Sequence, residues 1–105
     1  MLKWSVNENE TCVALWKIIA HFGGYGHQKE KAIEELGELS RALARDLQGE
    51  GDRANIAEEM ADVYIMLAQL ELIYGNYRDV VRATHEKLDR TMARIAAEQR
   101  GEREE

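Results

Sequence analysis

Proline is absent from the 105 residues, and cysteine occurs once, at Cys12. Without proline no helix is broken from within. A single thiol excludes an internal disulfide and fits a reducing compartment. No apolar run approaches the ~20 residues of a membrane-spanning helix, and the opening stretch, MLKWSVNENE, lacks the apolar core of a secretion signal. β-Branched residues are sparse and never alternate with polar ones over a strand length, which disfavours a sheet. Basic residues are outnumbered, 14 Lys and Arg against 20 Asp and Glu, for a net charge of −6. That balance weighs against nonspecific nucleic-acid binding. A cytoplasmic protein with neither membrane nor nucleic acid as partner is expected.

What is present reads as helix. Apolar residues make up 45% and charged ones 32%, a globular composition rather than a disordered one. Turn residues fall at Gly23-Gly24-Tyr25-Gly26, at Gln48 to Asp52 and at Gly75-Asn76, which leaves four helical segments. The first should run from Glu8 to Phe22, with Asn7 as N-cap and Glu10 three residues on. The second should span His27–Leu47 with an apolar stripe of Ile33, Leu36, Leu39, Leu43 and Leu47. The third should start at the N-cap Asp52 and end at Tyr74. Its residues Ile56, Met60, Val63, Leu67, Leu70 and Tyr74 alternate steps of four and three, a heptad seam. The fourth should span Asn76–Glu98, with Val81, Thr84, Leu88, Thr91, Met92 and Ile95 inward. Residues 1–98 are thus expected to form a single all-α four-helix bundle, and residues 99–105 a charged, frayed tail. The first helix is apolar around most of its girth, at Val13, Leu15, Trp16, Ile18, Ile19 and Phe22. A chain this short has limited room to cover it, so a homodimer or dimer of dimers is expected to complete the bundle.

The chemistry concentrates between Glu34 and Asp62. Glu35-x-x-Glu38 and Glu59-x-x-Asp62 each place two carboxylates on one helix face, and the Gly-bearing segment between them turns the chain back. In an antiparallel hairpin of equal rise, facing residues have numbers with a constant sum. Glu35 with Asp62 and Glu38 with Glu59 share one sum, and its midpoint falls at the turn. With axes roughly 8–10 Å apart, four carboxylates can share a small volume. Their repulsion and desolvation ask for a cation, and an all-oxygen ligand set suits Mg²⁺ or Mn²⁺ rather than Zn²⁺. The competing reading is a solvated acidic face. Leu36, Leu39 and Leu43 beside the first pair, and Met60, Val63 and Leu67 beside the second, place the carboxylates at the border of the apolar stripe. Spacing alone leaves both readings open.

Other candidates are weaker. The Gly23–Gly26 loop lacks the Lys-Ser/Thr of a phosphate-binding P-loop and reads as a helix connector. Lys87, Arg90 and Arg94 are explained as cations near a helix C-terminus or as phosphate ligands. His21, His27 and His85 have no ligand spacing. Trp16, Phe22 and Tyr25 read as core or interface residues.

Glu34-Glu35-x-x-Glu38 followed some twenty residues on by Glu59-x-x-Asp62 resembles the signature of the MazG-like all-α nucleoside triphosphate pyrophosphohydrolases. So do Tyr25-Gly26-His27-Gln28 leading into EELGEL, the stretch EEMADVYIMLAQLELIYG, and the late Lys87-Leu88-Asp89-Arg90. The resemblance implies hydrolysis of a (deoxy)nucleoside triphosphate to the monophosphate and pyrophosphate, with Mg²⁺ held by Glu35, Glu38, Glu59 and Asp62. It implies accessory acidic positions at Glu34 and Glu58. Lys87 and Arg94, or Arg90, would contact phosphate, and Glu38 would accept the proton of the attacking water.

Two neighbouring readings are set against this one. A phosphoribosyl-ATP pyrophosphohydrolase shares the acidic motifs, but its Asp-Leu-Leu-Tyr-His continuation is absent, since Val63-Tyr64-Ile65-Met66 follows Asp62. A non-catalytic helical interaction module would use the same carboxylates structurally. A di-iron bundle is excluded, because no Glu stands three residues before any His.

Overall fold

The computed structural model describes residues 8–101, so the expected N-cap Asn7 lies outside the described residues. The fold is all-α: α1 (Glu8–His21), α2 (Tyr25–Leu47), α3 (Arg53–Tyr74) and α4 (Tyr77–Gln99), with no strand among the described residues. None of these helices is long and apolar enough to cross a membrane. The chain divides at Gly75 into a unit carrying α1, α2 and α3 and a second unit carrying α4.

In the first unit α2 and α3 pack along one another, and α1 packs on α3. Glycines end the helices. Gly23, at φ 101°, and Gly49, at φ 81°, take the left-handed conformation just past α1 and α2. Behind them the Gly24 N–H donates to the Ile19 carbonyl and the Glu50 N–H to the Arg45 carbonyl. That six-to-one closure satisfies carbonyls that a helix end otherwise leaves open. Asp52 caps α3 as expected, its Oδ1 accepting from the Ala54 and Asn55 amides at 2.9 and 3.4 Å. The connection before α2 is shorter than expected, because Tyr25 and Gly26 already belong to the helix. The Tyr25 ring lies 6.3 Å from that of Trp16.

The seam between α2 and α3 keeps only part of the expected stripes, with Leu39 on α2 and Ile56, Val63 and Leu70 on α3 half-buried. On α2 the inward side carries Gln28, Ala32 and Ala42, buried, with Glu35 and Leu39 half-buried. On α3 it carries Met66 and Gln69, buried, with Glu59 half-buried. On α2 these residues step by four and three, and on α3 by seven and three, both in keeping with a heptad. Ile33, 71% exposed, and Leu36, Leu43 and Leu47 face outward, as do Met60, Leu67 and Tyr74. Periodicity pointed elsewhere because each helix has two faces that can be buried, one of large aliphatics and one of small, amide and acidic residues. Ala32 and Ala42 lack the bulk to hold the helices apart. Leu15 and Ile19 of α1 complete the buried set.

In the second unit, α4 begins after Asn76, whose side chain makes no cap hydrogen bond, and it has no buried residue. Val81 and Thr84 are half-buried, whereas Leu88, Thr91, Met92 and Ile95 are exposed rather than inward.

Candidate metal centre

Glu35 on α2 and Glu59 and Asp62 on α3 direct carboxylate oxygens into one volume, all within 4.8 Å of one another. Glu35 and Glu59 are half-buried and Asp62 is exposed. The helical spacing and the hairpin register produce this meeting. An independent pair repeats the register, since the Gln28 Nε2 donates to Gln69 Oε1 at 2.7 Å and their residue numbers share the sum of Glu35 and Asp62.

The cluster carries negative charge that Lys31, beside Glu35, offsets only in part. Partial burial of Glu59, and then the charges of Asp62, Glu38, Glu35 and Glu58, hold its carboxyl above the ordinary carboxylate value. Two half-buried carboxylates and one exposed one, with Glu59 resisting ionisation, fit a hard divalent cation. Glu38 is the fourth expected member. Its Oε1 instead accepts from Arg41 Nη2 at 2.6 Å, one turn along α2, so it adds its charge at Glu59 without joining the converged oxygens.

Lys31 was not singled out by sequence reasoning. Its Nζ lies 3.1 Å from Glu35 Oε1 and 3.6 Å from Glu34 Oε1. The hydrogen bond to Glu35 and the charge of Glu34 raise the ammonium pKa above its usual 10.5. The i, i+4 spacing of Lys31 to Glu35 is the signal that could have found it. Of the accessory acids, Glu34 and Glu58 are both exposed. Lys87, Arg90 and Arg94 are exposed residues of α4.

A cleft of about 370 Å³ adjoins the cluster and shares Glu35 and Asp62 with it. Its apolar wall is Ile18 of α1, Phe22 just beyond, and Ile65 and Met66 of α3. Gln28, Gln69 and His27 supply polar lining. Such a volume is within the ~300–1,000 Å³ of small-molecule sites. The two glutamines escaped the sequence reading because an amide on a helix is unremarkable until both partners are seen to be buried.

A family model of the MazG nucleotide pyrophosphohydrolase domain matches residues 27–96. That span contains both acidic motifs, most of the cleft-lining residues and the basic residues of α4. No curated protein and no solved structure matches the chain.

Proposed function

The chain belongs to the MazG nucleotide pyrophosphohydrolase family, and from that premise we propose Mg²⁺-dependent hydrolysis of (deoxy)nucleoside triphosphates to the monophosphate and pyrophosphate. The observation that carries this reading is the convergence of Glu35, Glu59 and Asp62 oxygens within 4.8 Å, beside a cleft large enough for a nucleoside.

In this proposal Glu35, Glu59 and Asp62 would hold Mg²⁺ or Mn²⁺ through their converged oxygens, and Glu38 would join them on leaving Arg41. When bound, the ion would offset the carboxylate charge and let a triphosphate approach. Glu38 stands outside the converged oxygens, which suits it to accept a proton from the attacking water. Lys87 and Arg94, with Arg90 as the second choice of guanidinium, bind the triphosphate. Glu34 and Glu58 deepen the negative field that attracts the cation. The proposed setting is the cytoplasm, and the proposed working form is a homodimer or dimer of dimers.

The test is a panel of normal and modified nucleoside triphosphates incubated with Mg²⁺, with products identified by phosphorus NMR. Monophosphate and pyrophosphate are expected, and Asp62→Ala should abolish them. Release of inorganic phosphate, or equal turnover by Asp62→Ala, would overturn the assignment. The exposed leucine face of α2 supports a second reading, a non-catalytic interaction module, which an inert panel would favour.

A further inference from the structure

The cleft beside the carboxylates has a polar end that the metal chemistry leaves unused. Gln28 and Gln69 are 3% and 1% exposed, and both line the cleft. Each carboxamide nitrogen has two hydrogens to donate. Gln28 Nε2 gives one to Gln69 Oε1 at 2.7 Å. Gln69 Nε2 has only the Met66 sulfur, at 3.8 Å, as its acceptor among the described residues, and a thioether accepts weakly. The oxygens are better served. Gln69 Oε1 accepts from Gln28, and the His27 Nδ1–H donates to Gln28 Oε1 at 2.9 Å.

Each nitrogen thus has one acceptor, a carbonyl for Gln28 and a thioether for Gln69, and a second hydrogen still to offer. Around the pair, Ile18, Phe22, Ile65 and Met66 provide an apolar wall. A flat, weakly hydrated ring that carries a carbonyl oxygen on one edge meets both conditions. A triphosphate attached to that ring would extend toward Glu35 and Asp62, which line the same cleft.

We propose that the Gln28–Gln69 carboxamide pair reads the base of the nucleotide and selects a ring with a carbonyl, rather than an amine, at the recognised edge. This rests on the pyrophosphohydrolase reading of the adjoining carboxylates. Sites built to hydrogen-bond one group discriminate strongly against an analogue that leaves their buried polar atoms unpaired.

Two nucleotide pairs probe the feature, because ITP differs from ATP, and UTP from CTP, by a carbonyl beside a ring N–H in place of an amine beside a bare ring nitrogen. Wild-type kcat/KM should favour the carbonyl member of each pair. Replacing both glutamines, Gln28→Met with Gln69→Met, keeps side-chain length and removes both members of the carboxamide bond together, a change that buried sites tolerate, and leaves the exposed His27 to solvent. The double variant should lose the preference by about tenfold, the size of one or two neutral hydrogen bonds, and keep its melting temperature. An unchanged preference in a folded variant overturns the inference and leaves the hydrolase reading standing. A second arm needs no catalysis. Inosine and uridine, added without metal, should shift the side-chain amide resonances of Gln28 and Gln69, and adenosine and cytidine should shift them less. Shifts in a chain that hydrolyses nothing would support the base site and sink the hydrolase reading. No shift with any nucleoside would sink the base site whatever the turnover.

Discussion

Lys31 extends its ammonium to 3.1 Å from the Glu35 carboxylate, one of three that meet at the α2–α3 seam. The lysine and an incoming divalent ion thus compete for the same oxygen. Mg²⁺ or Mn²⁺ should raise the melting temperature, and metal at 100 times its Kd stabilises a folded chain by about 2.7 kcal/mol. Lys31→Met removes the competitor. Exposed pairs contribute little, so Mn²⁺ affinity measured by calorimetry should rise only a few-fold. A lower affinity would show that Lys31 supports the metal site instead.

Asp62→Ala and Lys87→Ala should separate metal binding from phosphate binding. The first should abolish turnover and metal-dependent stabilisation together, and should raise metal-free stability by removing one repelling charge. The second should leave metal-dependent melting unchanged and lower kcat/KM. Glu34→Ala should cost less activity than Glu35→Ala, because Glu34 lies about 100° round the helix from Glu35. Activity and melting of all four variants check the set.

The metal-free protein should gain stability from Glu59 as pH falls. The folded state raises this carboxyl above its ordinary 4.5, so the folded chain binds the proton more tightly than the unfolded one. The penalty of charging Glu59 is complete above the raised pKa. It is relieved as pH falls through that value and gone below the unfolded one. Glu59→Gln should therefore melt higher than wild type at neutral pH without metal, and the gap should close on acidification. A gap that stays constant with pH would contradict the assignment. In wild type the stabilisation by metal should shrink over the same window, since proton and ion compete.

The helical hairpin and the meeting of Glu35 with Glu59 and Asp62 were legible in the sequence, because i, i+3 spacing and a glycine turn leave little freedom in register. Less legible was which side of each helix faces in. Large aliphatics outscored Gln28, Ala32 and Gln69, although those three are buried. A hydropathy pattern cannot register that two amides satisfy one another across a seam. The bond of Glu38 to Arg41 was not foreseen, for a related reason. That pairing is local and competes with the longer-range cluster, and spacing alone does not rank the two. Tyr25 and Gly26 read as loop because glycine marks breaks, yet Gly23 and Gly24 already suffice for the turn.

Ile33, Leu36, Leu43 and Leu47 on α2, with Val13, Trp16 and Phe22 on or just past α1, leave large apolar side chains exposed. Monomeric proteins rarely leave wide apolar patches uncovered. Light scattering at micromolar concentration should give a dimer or tetramer, and Leu36→Glu with Leu43→Glu should lower the mass. A monomeric wild type would overturn this expectation.

Removing the Asp52 cap should loosen the hairpin. Asp52→Ala leaves the Ala54 and Asn55 amides without their side-chain acceptor and should cost about 1 kcal/mol. Asp52→Asn should restore most of it. Chemical denaturation of the three proteins measures both effects.

Between Leu47 and Arg53 the chain has room for little else than the turn. A Cβ placed on Gly51 would come within 2.7 Å of the Asp46 Cα, so the loop is seated directly on the end of α2. Its length acts as a gauge. It decides which rung of α3 stands opposite which rung of α2, and so which side chains become neighbours at Glu35 some three turns away. One added residue that propagated into α3 would turn that helix by about 100° and carry Glu59 and Asp62 off the seam. Every helix would remain intact. The assembly of the carboxylates is in that sense written as a distance along the chain, in a segment that touches none of them.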